Sequence, residues 1–252
     1  MLCNCIEKLP EYRQLAAAVK AETYPAYVTG LSSTSKAHFI ASLLESDRAS
    51  LVLTQDEAAA TRLCEDINSF IGGGAYVYPT KDISFYDMES VSREYEHARL
   101  KVLGLCMRED EAERCRVVVA SAEAALQYTI PPDVLEQNTV ILSEGDEIAI
   151  EELVSLLLGA GYQRVDQVEG VCCFSHRGGL VDVFPPDSPA PVRIEFWGDE
   201  IDSINRFDPE DQRRTELVDK ITITPAREVL YNSFGELAKI LKNKAEAQGQ
   251  AV

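Results

Sequence analysis

The chain has 252 residues, 46% hydrophobic and 26% charged, and a net charge of −18 from 42 acidic and 24 basic side chains. Such a chain is globular, with room for one large domain or two to three small ones, and is excluded from the disordered class. Its acidity argues against gripping nucleic acid through phosphates and favours a partner with a basic surface, and no apolar run approaches the length of a membrane span.

The first residues, MLCNCIEKLPEY, lack the basic-then-apolar order of a signal peptide. Seven cysteines, at 3, 5, 64, 106, 115, 172 and 173, form no CxxC pair and stand at no zinc-ligand spacing from His38, His97 or His176. Cys3 and Cys5 read as a frayed terminus rather than a metal pair, and Cys64 and Cys106 as small core residues on apolar helix faces. Scattered free thiols fit a reducing compartment, so the expectation is a soluble cytoplasmic protein.

Residues 10–22 predict a helix with Pro10 at its first position, and 26–29 a short strand ending at Gly30. Residues 30–46 then give a loop and a helix carrying Ile40, Leu43 and Leu44 on one side. This loop invites comparison with the phosphate-binding pattern GxxxxGK[ST]. Gly30 and Lys36 match. Ser35 stands where glycine would let the backbone wrap phosphates, and Ala37 where a hydroxyl would hold magnesium. With both lost, the reading is a degenerate loop without nucleotide, whose Ser and Thr residues cap the helix.

Strands follow at 51–54, 76–78 and 117–120, separated by helices at 56–71 and 92–108, with Ser92 as the N-cap of the second. A short helix at 121–127 precedes Ile130-Pro131-Pro132, which reads as a domain boundary. Alternating strand and helix implies a parallel sheet covered on both faces.

Residues 139–142 predict a new strand, and 150–160 a helix with Leu153, Leu156, Leu157 and Ala160 inward and Gly161 as its cap. From 174 to 208 the pattern is antiparallel: an apolar run at 180–184 after Gly178-Gly179, then Val192, Ile194 and Phe196 alternating with Arg193, Glu195 and Trp197 before a turn at Gly198-Asp199. Residues 139–208 hold 4 arginines against 14 acidic residues, so Arg177, Arg193 and Arg206 stand out. Asp199, Glu200 and Asp202 read as a solvated acidic edge rather than a metal site. A strand at 221–223 and a last helix capped by Asn232-Ser233, with Leu237, Ile240 and Leu241 on one side, complete the chain.

The motifs GYQRVDQV (161–168), FSHRGGLVDVFP (174–185), PVRIEFWGDEIDSINRFDPEDQR (191–213) and ITITPARE (221–228), with SFYDMESVSREYEHARLKVL (84–103), resemble the N-terminal module of the bacterial transcription-repair coupling factors (Mfd). The repair protein UvrB shares the RGG…D.FP and FDPE patterns. The similarity spans most of residues 20–230 and departs from the family at Cys172-Cys173, where Gly-Glu is usual.

The resemblance implies an α/β fold: a degenerate P-loop-NTPase-like parallel-sheet domain 1a (1–130), an inserted α+β domain 2 dominated by an antiparallel sheet (131–208), and a domain 1b (209–252) packing back on 1a. It further implies the N-terminal part of a longer ATP- and magnesium-dependent DNA translocase, itself non-catalytic and without cofactor or metal, that recruits UvrA to stalled transcription. The alternative is an ATP-binding, UvrB-like repair helicase fragment. The resemblance makes domain 2 the UvrA surface, with the distant C-terminal domain of the parent protein as an intramolecular partner that shields it. No strong DNA binding and no membrane are expected. Arg177, at the shared RGG position, is the leading contact, able to hold a carboxylate through two hydrogen bonds. Its alternative role is an internal ion pair with Asp182 or a neighbouring acid. Phe174 and Phe184 are candidate apolar anchors, Phe184 reading more as core than contact, and Arg164, Arg193 and Glu195 are further candidates.

Overall fold

The computed structural model describes residues 3–22, 25–44, 48–81, 93–108, 110, 114–230, 235, 237–239, 242 and 243. It divides into two compact units, Met1–Tyr128 and Thr129–Val252. The predicted caps Ser92, Asn232 and Ser233, and Ile240 and Leu241 of the last helix, lie outside the described residues.

In the first unit, α1 (Pro10–Lys20) starts on its proline. Helix α2 (Ser33–Leu43) is capped by the Ser32 hydroxyl, which accepts from the Ser35 amide. Strand β1 (Ser50–Thr54) leads to α3 (Glu57–Ile71), whose Asp56 cap accepts from the Ala59 amide at 2.7 Å. Gly72, at φ +77°, ends α3 in the left-handed conformation. There follow β2 (Ala75–Tyr78), α4 (Glu94–Cys106), β3 (Val117–Ser121) and α5 (Ala122–Leu126).

The three strands form a parallel sheet in the order β1-β3-β2. Period-2 alternation along β3 sends Val117 and Val119 into one core, with Ala37, Ala60 and Ile67 from α2 and α3. Ala120 enters a second core with Tyr78, Val102, Leu105 and Ala124. Both faces thus receive helices, as a parallel sheet requires. Residues 26–29, expected as a strand, are exposed and unpaired, so no strand feeds the loop at Gly30 and the strand–loop–helix arrangement of a P-loop is not formed. Cys64 is buried as expected, but Cys106, the last residue of α4, is exposed.

The second unit opens with α6 (Pro132–Gln137) where the sequence reads only as a boundary. It continues through β4 (Val140–Ser143), α7 (Ile150–Gly159), β5 (Gln163–Arg164), β6 (Cys173–Arg177), β7 (Leu180–Val183), β8 (Val192–Trp197), β9 (Glu200–Phe207), β10 (Arg214–Leu217) and β11 (Lys220–Ile223). Strands β5 to β10 form one six-stranded sheet in chain order, antiparallel except for the β5–β6 pair, and β11 pairs antiparallel with β4. Residues 214–223, read from sequence as lying beyond the inserted domain, therefore add strands to both sheets of this unit.

The core lies under α7. Leu153, Leu157 and Ala160 pack with Phe174, Val181, Val183, Val192, Ile194 and Ile204. Leu156, expected inward, is exposed, because the buried stripe follows the i, i+4 spacing of Leu153 and Leu157. Helix α7 closes in a Schellman motif: the Gly161 amide donates to the Leu158 carbonyl and the Tyr162 amide to that of Leu157, with Gly161 at φ +88°. A bulge in β9 matches Glu195 with Ser203 and Phe196 with Ile201, so the extra residue, Asp202, turns Ile201 into the core.

Candidate partner-binding face

The six-stranded sheet has one face on the core and another that carries its polar side chains. Alternation puts Arg177 of β6, Leu180 and Asp182 of β7, and Arg193, Glu195 and Trp197 of β8 on that second face. The β6–β7 hairpin turns at Gly178-Gly179, with Arg177 opposite Leu180 and Gly178 at φ +59°. A side chain at position 179 would crowd the Phe196 carbonyl, its Cβ only 3.1 Å from that oxygen. The two glycines thus let the chain reverse and let the hairpin lie close along β8.

Asp182 is the centre of this face. Its carboxylate is 1% exposed and lies opposite Arg193 across the β7–β8 ladder. Arg193 Nε donates to Oδ1 at 2.7 Å and Nη2 to Oδ2 at 2.9 Å, a two-pronged ion pair. The guanidinium also stacks over the Phe207 ring, 4.7 Å from its centroid. Hydrogen bonding to Asp182 holds the Arg193 pKa above its ordinary value, outweighing burial, so this cation is permanently in place.

Arg177 approaches the same carboxylate from the other side. Its Nη2 donates to Asp182 Oδ2 at 3.2 Å, while the side chain stays 54% exposed. The internal ion pair and the surface position are therefore both present. Arg193 already neutralises Asp182, so Arg177 is a surplus positive charge on a half-exposed side chain. Glu195 pairs with Arg214 of β10 and is largely withdrawn from solvent.

The remaining candidates separate. Phe174 is fully buried in the core under α7, because its place on β6 opposite Val183 gives it the inner face; it is not a surface anchor. Phe184 is half-buried, and its amide and carbonyl both bond backbone groups of Cys172 and Cys173. Arg164 is exposed on the short edge strand β5. Trp197, which sequence periodicity places only as the outward partner of Phe196, is 82% exposed at the tip of the β8–β9 hairpin. An unpaired aromatic at a strand end is its only sequence signal.

In the first unit the degenerate loop is occupied by its own helix. The Ser35 amide is held by the Ser32 hydroxyl at 3.3 Å and the Lys36 amide by the Ser32 carbonyl at 2.9 Å. Ala37 is wholly buried against α3. Gly30 keeps φ +82°. Lys36 borders a cleft of about 580 Å³ lined also by Ser33, Thr54, Arg62 and Leu63. Among the described residues, no group of three or more His, Cys, Asp or Glu side chains could hold a metal ion, and no helix is long and apolar enough to cross a membrane.

Residues 140–229 match the UvrB interaction domain family. The chain is 32% identical over 231 residues to the transcription-repair-coupling factor of Myxococcus xanthus, an overlap covering 88% of this chain and 18% of the relative. The Bacillus subtilis (strain 168) factor is 30% identical over 206 residues, covering 81% and 17%. That of Haemophilus influenzae is 30% identical over 178 residues, covering 71% and 15%. The chain thus spans less than a fifth of the length of these relatives.

Proposed function

We propose that this chain, similar over most of its length to transcription-repair-coupling factors, is a docking module that recruits UvrA to stalled transcription and performs no chemistry of its own. The observation that carries this reading is the state of Arg177. It sits on a carboxylate already neutralised by Arg193, and its side chain stays 54% exposed. A planar cation already tethered by an internal bond loses less side-chain freedom on binding a partner carboxylate than an untethered one. Arg164, exposed on the edge strand, extends the positive face, and Arg193, Glu195 and Arg214 fix its geometry. In the parent protein this face is shielded by a distant C-terminal domain.

The test is a calorimetric titration of the chain with UvrA. Arg177→Ala should weaken binding by about 1–3 kcal/mol, and Arg177→Lys should restore only part of it, because an ammonium cannot reproduce the planar fork. Unchanged affinity in Arg177→Ala would remove this residue from the interface.

One observation favours a second reading, an ATP-binding UvrB-like fragment: the cleft beside Lys36 and Arg62 is large enough for a nucleotide and carries two cations. Against it, the amides that would cradle phosphates cap α2, and the position of the magnesium hydroxyl is a buried alanine. Titration with ATP and magnesium separates the two readings: the docking module gives no saturable heat, and the ATP-binding fragment gives micromolar binding lost in Lys36→Ala.

A further inference from the structure

We infer that Trp197 is the apolar anchor of this docking face, filling the role that the buried Phe174 and half-buried Phe184 leave open. The inference rests on the docking reading above and adds to it the residue and the chemistry that supply apolar contact. Trp197 is the only tryptophan in the chain and is 82% exposed. It belongs to a paired strand, opposite Glu200 across the β8–β9 ladder, with Gly198 at φ +66° making the turn. The backbone beneath the ring is therefore fixed. A rigid aromatic with two rotatable bonds loses little entropy on docking, which is why Trp and Arg dominate interface energetics.

The second observation is what surrounds it. Leu180 lies between Arg177 and Glu195 in one register row across β6, β7 and β8 and is partly exposed, and Trp197 stands two residues beyond Glu195 on the same face. The Phe196 amide donates to the Gly179 carbonyl at 2.8 Å, so the two hairpin tips lie side by side. Arg177 and Trp197 are two strands apart and offset by two residues along the strand, roughly 12 Å. Together they form a cation, a leucine and an indole on one face, the indole set off the Arg177–Leu180 row. The surface that fits this arrangement presents a carboxylate about 12 Å from a hollow lined by aliphatic or aromatic side chains, the spacing being two strands across and two residues along. Glu195, held by Arg214, does not compete for the cation.

The experiment uses the full chain labelled with 5-fluorotryptophan, which gives one fluorine resonance, titrated with unlabelled UvrA, alongside the affinities of Trp197→Ala and Arg177→Ala. The expected result is a shifted or broadened resonance on binding, and at least a tenfold loss of affinity in Trp197→Ala with an unchanged melting temperature, because the ring supports nothing in the fold. Trp197→Phe should recover part of the loss. An unmoved resonance with Trp197→Ala within twofold of the wild type, while Arg177→Ala binds weakly, would overturn the anchor and leave the docking reading standing. Failure of the wild-type chain to bind UvrA would overturn both.

Discussion

At the scale of single residues, the face is organised by one buried carboxylate shared between two guanidiniums. Asp182 holds Arg193 tightly and Arg177 loosely, so removing it should act on both stability and binding. Asp182→Ala leaves Arg193, 13% exposed, without its counter-charge; the expected cost is about 3–5 kcal/mol, read as a lowered denaturation midpoint. A loss below 1 kcal/mol would show that Arg193 finds another partner. Buried thiols predict the alkaline limit. Desolvation raises the Cys64 pKa from 9.0 to about 11, so the folded state retains the thiol proton longer than the unfolded chain. Stability from the neutral thiol is then complete below pH 9.0 and is lost as pH rises toward about 11, and Cys64→Ala should flatten that part of the stability profile. Sequence exposed Arg177 and its pairing with Asp182 because both lie in one short motif. It misplaced Phe174, because facing depends on which residue of the neighbouring strand it meets, and it could not give the Glu195–Arg214 pair, whose members are brought together only by β10.

At the scale of elements, period and turn chemistry were legible wherever a segment buries one face. Helix α7 and its glycine cap are an example. Gly161 is needed twice: its φ is positive, and an added Cβ would stand 2.7 Å from Cγ of Arg227. Gly161→Ala should therefore destabilise the second unit by more than the roughly 1 kcal/mol of an ordinary helix glycine, which thermal unfolding would measure. Less legible were elements whose pairing comes from elsewhere. Strand β10 is exposed along its whole length and alternates no apolar residues, so nothing local marked it; only its ladder with β9 makes it a strand. The segment 26–29 fails in the opposite sense. Tyr27 and Val28 have strand propensity, but propensity without a neighbouring edge leaves them outside any strand and exposed.

At the scale of the whole chain, two units have separate cores. The acidic balance of the molecule argues against a phosphate-reading role, yet the net charge hid a locally positive face: near Asp182, three arginines meet two carboxylates. Net charge was legible from composition, while its local reversal needed the register of four strands. The docking account assigns recognition to the second unit and gives the degenerate loop of the first no ligand. Hydrogen exchange of the full chain with and without UvrA tests this most directly. The account predicts slowed exchange at the two hairpin tips, residues 177–180 and 197–200, with residues 30–71 unchanged. Protection of residues 30–71 with both tips unaffected would contradict it.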